Sequence, residues 1–205
     1  MARAFRATTR GYKAELQAHE RRLLSQLCAD VITMLTQRGK DLADTNAEED
    51  EFAHFRAELA GLGAETDDDA DPGLDPPQDA VLARLLPDAS TDSQEAAQFR
   101  RLAESSLRES KIADLRSARL ALESETVALS EQQAPVFGRA LNDIRLTLAA
   151  RLGIEEESDA ERIHEQAGQG AAASTEEFMA ELYAFTTWLQ ETLFSAMLDV
   201  LPTDE

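Results

Sequence analysis

The sequence predicts a mainly α fold: a multi-helix domain with a small antiparallel β element, made of an N-terminal hairpin plus one later strand. Three observations predict it. Apolar residues recur at three- and four-residue steps through most of the chain, the spacing of one helix face. Only two short stretches, 3–16 and 125–129, show strand character. Apolar residues make up 43% of the 205, enough to fill a core in one domain.

The elements follow in order. Arg3–Leu16 is expected as the hairpin, anchored by Phe5, Tyr12 and Leu16, with Thr9-Arg10-Gly11 at the turn, where glycine can take positive φ. Leu24, Leu27, Cys28, Val31 and Leu35 then form one helical stripe, with Gly39 as the expected stop. A weaker helix is expected over 48–62, ending near Gly61 and Gly63. Residues 63–78 contain Asp67-Asp68-Asp69 and Pro76-Pro77 and are expected to be a flexible acidic insert. A short helix over 79–86 is stopped by Pro87. A longer one runs from Ser93 to about Leu122, with Phe99, Leu102, Ile112 and Leu115 as its apolar contacts.

Glu125–Leu129 is expected to pair with the hairpin, since two strands alone are marginal in water. Ser130 and Gln133 form a capping box for the next helix. Its stripe is Phe137, Leu141, Ile144, Leu148 and Leu152, ended by Gly153. Residues 155–173 turn acidic and then rich in Gly and Ala, which predicts a hinge or loop at Gly168-Gln169-Gly170. Ser174 and Glu177 cap a last helix to Leu201 that is apolar nearly all round, so it is expected in the core or at a dimer interface.

Composition narrows the function classes. A net charge of −20 opposes nonspecific nucleic-acid binding, so DNA contact is expected to be weak or indirect. The charge is uneven: residues 1–22 hold six cations and two anions, 98–119 six and three, and 41–80 one cation and fourteen anions. No apolar run approaches the ~20 residues of a membrane span, and no secretory leader is evident, so a cytoplasmic location is expected. The single cysteine, Cys28, excludes an intramolecular disulfide.

Candidate sites are few. Arg101, Arg108, Arg116 and Arg119 fall within about a quarter turn of one another on a helix, a possible partner-binding face. The ordinary alternative is a solvated face offsetting the acidic tract. Cys28 is the one redox candidate, although a cysteine on an apolar stripe is usually a small buried hydrophobe. Glu51 with His54, and Glu161 with His164, have the Glu-x-x-His spacing of di-iron bundles. Both pairs lie in polar, weakly patterned segments in a Glu-rich chain, so a metal-dependent enzyme is a runner-up only. No triad order or phosphate loop is present, and no catalytic residue or cofactor is expected.

Three segments carry a family resemblance: Leu82-Ala-Arg-Leu-Leu-Pro-Asp-Ala, Phe99-Arg-Arg-Leu-Ala-Glu-Ser-Ser-Leu-Arg-Glu-Ser-Lys and Leu141-Asn-Asp-Ile-Arg-Leu-Thr-Leu-Ala-Ala-Arg-Leu-Gly. Together they resemble an actinobacterial domain-of-unknown-function family that includes the AosR-like regulators. The resemblance implies a non-enzymatic regulator of oxidative-stress transcription that works with a sigma factor or RNA polymerase. An adaptor or scaffold linked to Clp proteolysis is the alternative, and a homodimer is compatible with either. The family supplies no catalytic residues, and a disulfide switch within the chain would need a second cysteine.

Overall fold

The computed structural model describes residues 2–60, 74–166 and 174–199, with backbone alone at 44–60 and 164–166. The mainly α fold with a three-stranded antiparallel sheet is as the sequence predicts. Strands β1 (Arg3–Thr8) and β2 (Gly11–Glu15) form the hairpin, and β3 (Thr126–Leu129) adds antiparallel to β2, giving the order β1-β2-β3. Gly11 takes φ +115°, and a Cβ there would lie 2.1 Å from the Leu129 carbonyl oxygen. Only glycine fits both the turn and the approach to β3. One sheet face, with Phe5, Tyr12, Ala14, Val127 and Leu129, is buried. The other carries Arg6, Lys13 and Glu15 toward solvent.

Helix α1 (Ala18–Ala60) opens with a reciprocal acceptor: Glu20 receives the Gln17 N–H at 2.7 Å and the Ala2 N–H at 3.2 Å. It runs through Gly39 without a break. The expected stop at Gly39 and the separate helix over 48–62 are therefore corrected to one continuous helix as far as Ala60. Glycine weakens a helix but does not end one unless the backbone turns left-handed. Here Gly39 serves a packing role described below.

Residues 63–73 of the expected acidic insert lie outside the described residues. Its last part is anchored: Leu74 N–H donates to the Ala97 carbonyl at 3.0 Å, and Pro77 is buried. Asp79 caps α2 (Ala80–Leu85), and Asp92 caps α3 (Ser93–Ala121), each accepting two backbone N–H groups. Two expected core contacts of α3 are corrected, since Phe99 is 51% exposed and Leu102 81%. The helix turns Ala96, Arg100, Glu104, Leu115 and Ala118 inward instead.

Ser130 and Gln133 make both bonds of the expected capping box, at 3.0 and 3.3 Å, opening α4 (Gln133–Arg151). Pro135 sits in its first turn, where no intrahelical N–H is needed. Phe137, Leu141, Ile144 and Leu148 are fully buried, and Phe5 meets Phe137 edge-on at 5.8 Å, joining sheet to helix. Gly153 (φ +65°) ends the helix, with Ile154 N–H returning to the Ala149 carbonyl at 2.9 Å.

The sequence assigns no element to the acidic stretch after Ile154, and Glu157–Gln166 forms helix α5. Asp159 turns back to accept the N–H groups of Glu155 and Glu156, and Ile163 is buried. The expected hinge at Gly168–Gly170 lies outside the described residues. Ser174 caps α6 (Thr175–Leu198), which packs on α4, α5 and β1, with Leu189 and Leu193 fully buried. The end of the helix expected at Leu201 falls outside the described residues.

Candidate functional site

The chemistry of the fold gathers along α3. Glu104 is its centre, with a side chain only 2% exposed. Arg38 of α1 approaches Glu104 Oε1 through Nε at 3.0 Å, Arg100 Nη1 reaches Oε2 at 3.2 Å, and Arg108 Nη1 lies 3.5 Å from Oε1. Arg100 also donates to the Leu86 carbonyl at 2.9 Å and to Asp88 at 2.6 Å. Arg38 donates to the Asp75 carbonyl at 2.8 Å. One carboxylate thus joins α1, α3 and the turns around α2.

Two more ion pairs bind α3 to α4. Lys111 donates to Asp143 at 2.6 Å, and Arg139 makes a two-point contact with Asp114 at 2.6 and 3.1 Å. Burial pushes the Asp143 carboxyl above its ordinary range, and the bond from Lys111 offsets only part of that. The bond to Asp114 holds the Arg139 guanidinium more firmly protonated than usual.

This geometry divides the four arginines expected on one face. Arg108 turns inward to Glu104, with a side chain 13% exposed. Arg101, Arg116 and Arg119 are exposed, and Arg119 donates to Ser25 of α1 at 3.3 Å. They share the outer side of α3 with Phe99, Leu102 and Leu120, the last 68% exposed. Leu102 and Leu120 are 18 residues apart, so they share one bearing on the helix, roughly 27 Å apart along its axis. Leu102, Arg116 and Leu120 therefore form one exposed strip, flanked by Arg101 and Arg119 on the α1 side and by Phe99 on the other.

Sequence reasoning missed Arg38, Arg100 and Glu104. Their signal was the spacing of Ala96, Arg100, Glu104, Lys111, Leu115 and Ala118, a stripe at three-, four- and seven-residue steps that carries charge where a core stripe carries leucine.

Cys28 is buried on α1, and burial pushes its thiol up to about 12 although Arg119 pulls the other way. Glu161 is exposed on α5, while the side chains of Glu51, His54 and His164 lie outside the described residues. Among the described residues no group of three or more His, Cys, Asp or Glu is placed to hold a metal. No helix among them is long and apolar enough to cross a membrane.

A family described as Domain of unknown function (DUF2017) matches residues 2–197, nearly the whole chain, and the protein belongs to that family. No curated protein and no solved structure matches it.

Proposed function

We propose that the protein is a non-enzymatic cytoplasmic regulator that acts by binding a protein partner along the outer side of α3. The observation that carries the reading is the exposure of Phe99, Leu102 and Leu120 beside Arg101, Arg116 and Arg119, on a helix whose other side is fixed by buried ion pairs. Aromatic, leucine and arginine side chains on a rigid support supply contact area at small ordering cost, and arginine is among the residues enriched at binding hot spots. Exposed cations steer an acidic partner and are screened by salt. The sequence resemblance to the AosR-like regulators supports a partner in stress transcription, a sigma factor or RNA polymerase, with DNA engaged only through that partner.

The test is capture from native cytoplasm on the immobilised chain at low and moderate salt. Polymerase or a sigma factor, retained at low salt and lost both at moderate salt and with R101E/R116E/R119E, is the expected result. An unchanged set of captured proteins with that variant overturns the reading.

A further inference from the structure

The two edges of the small sheet are built differently. The β1 edge is closed in three ways. Its register shifts between Arg3 and Arg6, those two arginines put charge on it, and the Phe5 N–H donates to Thr192 Oγ1 of α6 at 3.3 Å. Bulges, edge charges and a covering helix are the means by which proteins stop an edge from recruiting another strand.

Among the described residues the β3 edge carries no such bulge or charge, and no hydrogen bond from a helix reaches it. Thr126-Val127-Ala128-Leu129 carries no charge, proline or register shift, and among the described residues it pairs only with β2. The Leu16 N–H points to the Glu125 carbonyl at 3.5 Å. Alternation in an antiparallel ladder then directs Val127 and Leu129 to β2 and turns the N–H and C=O of Thr126 and Ala128 outward. Beside them lies a pocket of about 200 Å³, lined mainly by apolar side chains, Leu120 and Ala121 of α3, Ala128 and Leu129 of β3 and Phe137 of α4, with Ser117 and Gln133 as its polar members. Its floor is buried core, Leu129 and Phe137, and its rim is the exposed Leu120.

We propose that the β3 edge and this pocket form a docking groove for an extended segment of a partner polypeptide. The segment adds to the sheet as a fourth strand and sets one aliphatic side chain into the pocket. The outward backbone groups define the occupant, since only an extended chain offers N–H and C=O at the strand repeat. A second copy of this protein is a poor occupant. Its own β3 has Val127 and Leu129 committed to its core and presents only Thr126 and Ala128, and its β1 edge is closed. A partner strand of alternating pattern meets no such conflict. No charged side chain lines the pocket, so this groove works without the arginines of the outer strip.

A random peptide library displayed on phage and panned on the full chain tests this. Enriched peptides are expected to alternate apolar and polar residues, and synthetic copies should shift the amide resonances of Thr126 and Ala128. Affinity should fall about tenfold or more with Ala128→Pro, which deletes an outward N–H at a position where an edge strand tolerates proline, and likewise with Ala121→Phe, which fills the pocket. Far-UV circular dichroism checks that each variant is folded, and Ala121→Phe decides if Ala128→Pro is not. Binding should survive R101E/R119E and moderate salt, so this groove and the arginine strip stand or fall separately. No enrichment, enrichment of helix-patterned peptides, or undiminished binding in the folded variants overturns the proposal.

Discussion

Gly39 of α1 lies directly beneath the guanidinium of Arg108 on α3: a Cβ on Gly39 would stand 2.9 Å from Arg108 Nε. The absence of a side chain lets Arg108 lie flat on α1 and reach Glu104. Gly39→Ala therefore sets two effects against each other. Alanine improves an interior helix position by roughly 0.5–1 kcal/mol. Displacing Arg108 weakens its pairing with a buried carboxylate. The expected outcome is little or no net gain from G39A alone, and the full helix gain when it is made in an R108A background. Urea denaturation of the four proteins of that cycle measures the coupling.

The same pair shows where the sequence was legible. Elements whose apolar spacing was clean came out as expected: Phe137, Leu141, Ile144 and Leu148 of α4, and Phe5, Tyr12 and Leu16 of the hairpin, are all buried. The pairing of β3 with β2 followed from the need of two strands for a third. Gly39 misled because a glycine that ends a helix and one that admits a neighbour look alike without the neighbour. Phe99 and Leu102 misled because hydrophobicity was read as burial, while Arg100 and Glu104 took the inward positions. Arg108 shared a helical bearing with Arg101 and Arg119, yet it turns inward to Glu104, four residues back, over Gly39, which lies 69 residues away and leaves it room.

Glu104 compensates three guanidinium groups, with Asp88 as the only other carboxylate at Arg100 among the described residues. Removing its charge leaves Arg38, Arg100 and Arg108 facing one another in a partly desolvated site. Loss of one partner from a buried pair costs roughly 3–5 kcal/mol, and E104Q is expected at that level. R38A should cost less, since Glu104 keeps two cations and Arg38 is nearer the surface. Equal losses from chemical denaturation of the two variants would show that the cluster is not organised around Glu104.

The Lys111–Asp143 pair gives a prediction with a pH sign. The folded-state pKa of Asp143 is raised, chiefly by burial. Its contribution to stability is then fully present below its unfolded pKa and declines as pH rises through the folded value. Asp159 is the opposite case, lowered by the N–H groups of Glu155 and Glu156, so its contribution is present above its unfolded pKa and is lost as pH falls through the folded value. D143N should therefore steepen the loss of stability on acidification, and D159N should soften it. At neutral pH, K111M should cost roughly 3–5 kcal/mol by stranding the Asp143 carboxylate, and K111M/D143L should recover most of that. Stability measured by denaturant across the acid range in these variants checks both claims.

Cys28 supplies the sharpest prediction about redox sensing by the free protein. Its side chain is buried between α1 and its neighbours, and its thiol is pushed up to about 12. The reactive species is the thiolate, which at neutral pH is then a vanishing fraction, and what little forms is out of reach of an oxidant. An aromatic disulfide reagent at neutral pH is expected to leave the native thiol untouched and to label it only in denaturant. Labelling should follow global unfolding, so E104Q, which lowers stability from a distance, should raise the rate while Cys28→Ala removes the signal. Fast labelling of the native protein, unchanged by E104Q, would mean that a local opening of α1 exposes the thiol. Cys28→Ser tests the packing side of the same argument: it places a hydroxyl where a small apolar group sat, and is expected to cost about 1–3 kcal/mol. A sensing role for Cys28 would then require a partner to open this part of α1 first, which a labelling assay repeated with the captured partner bound would detect as a rate increase.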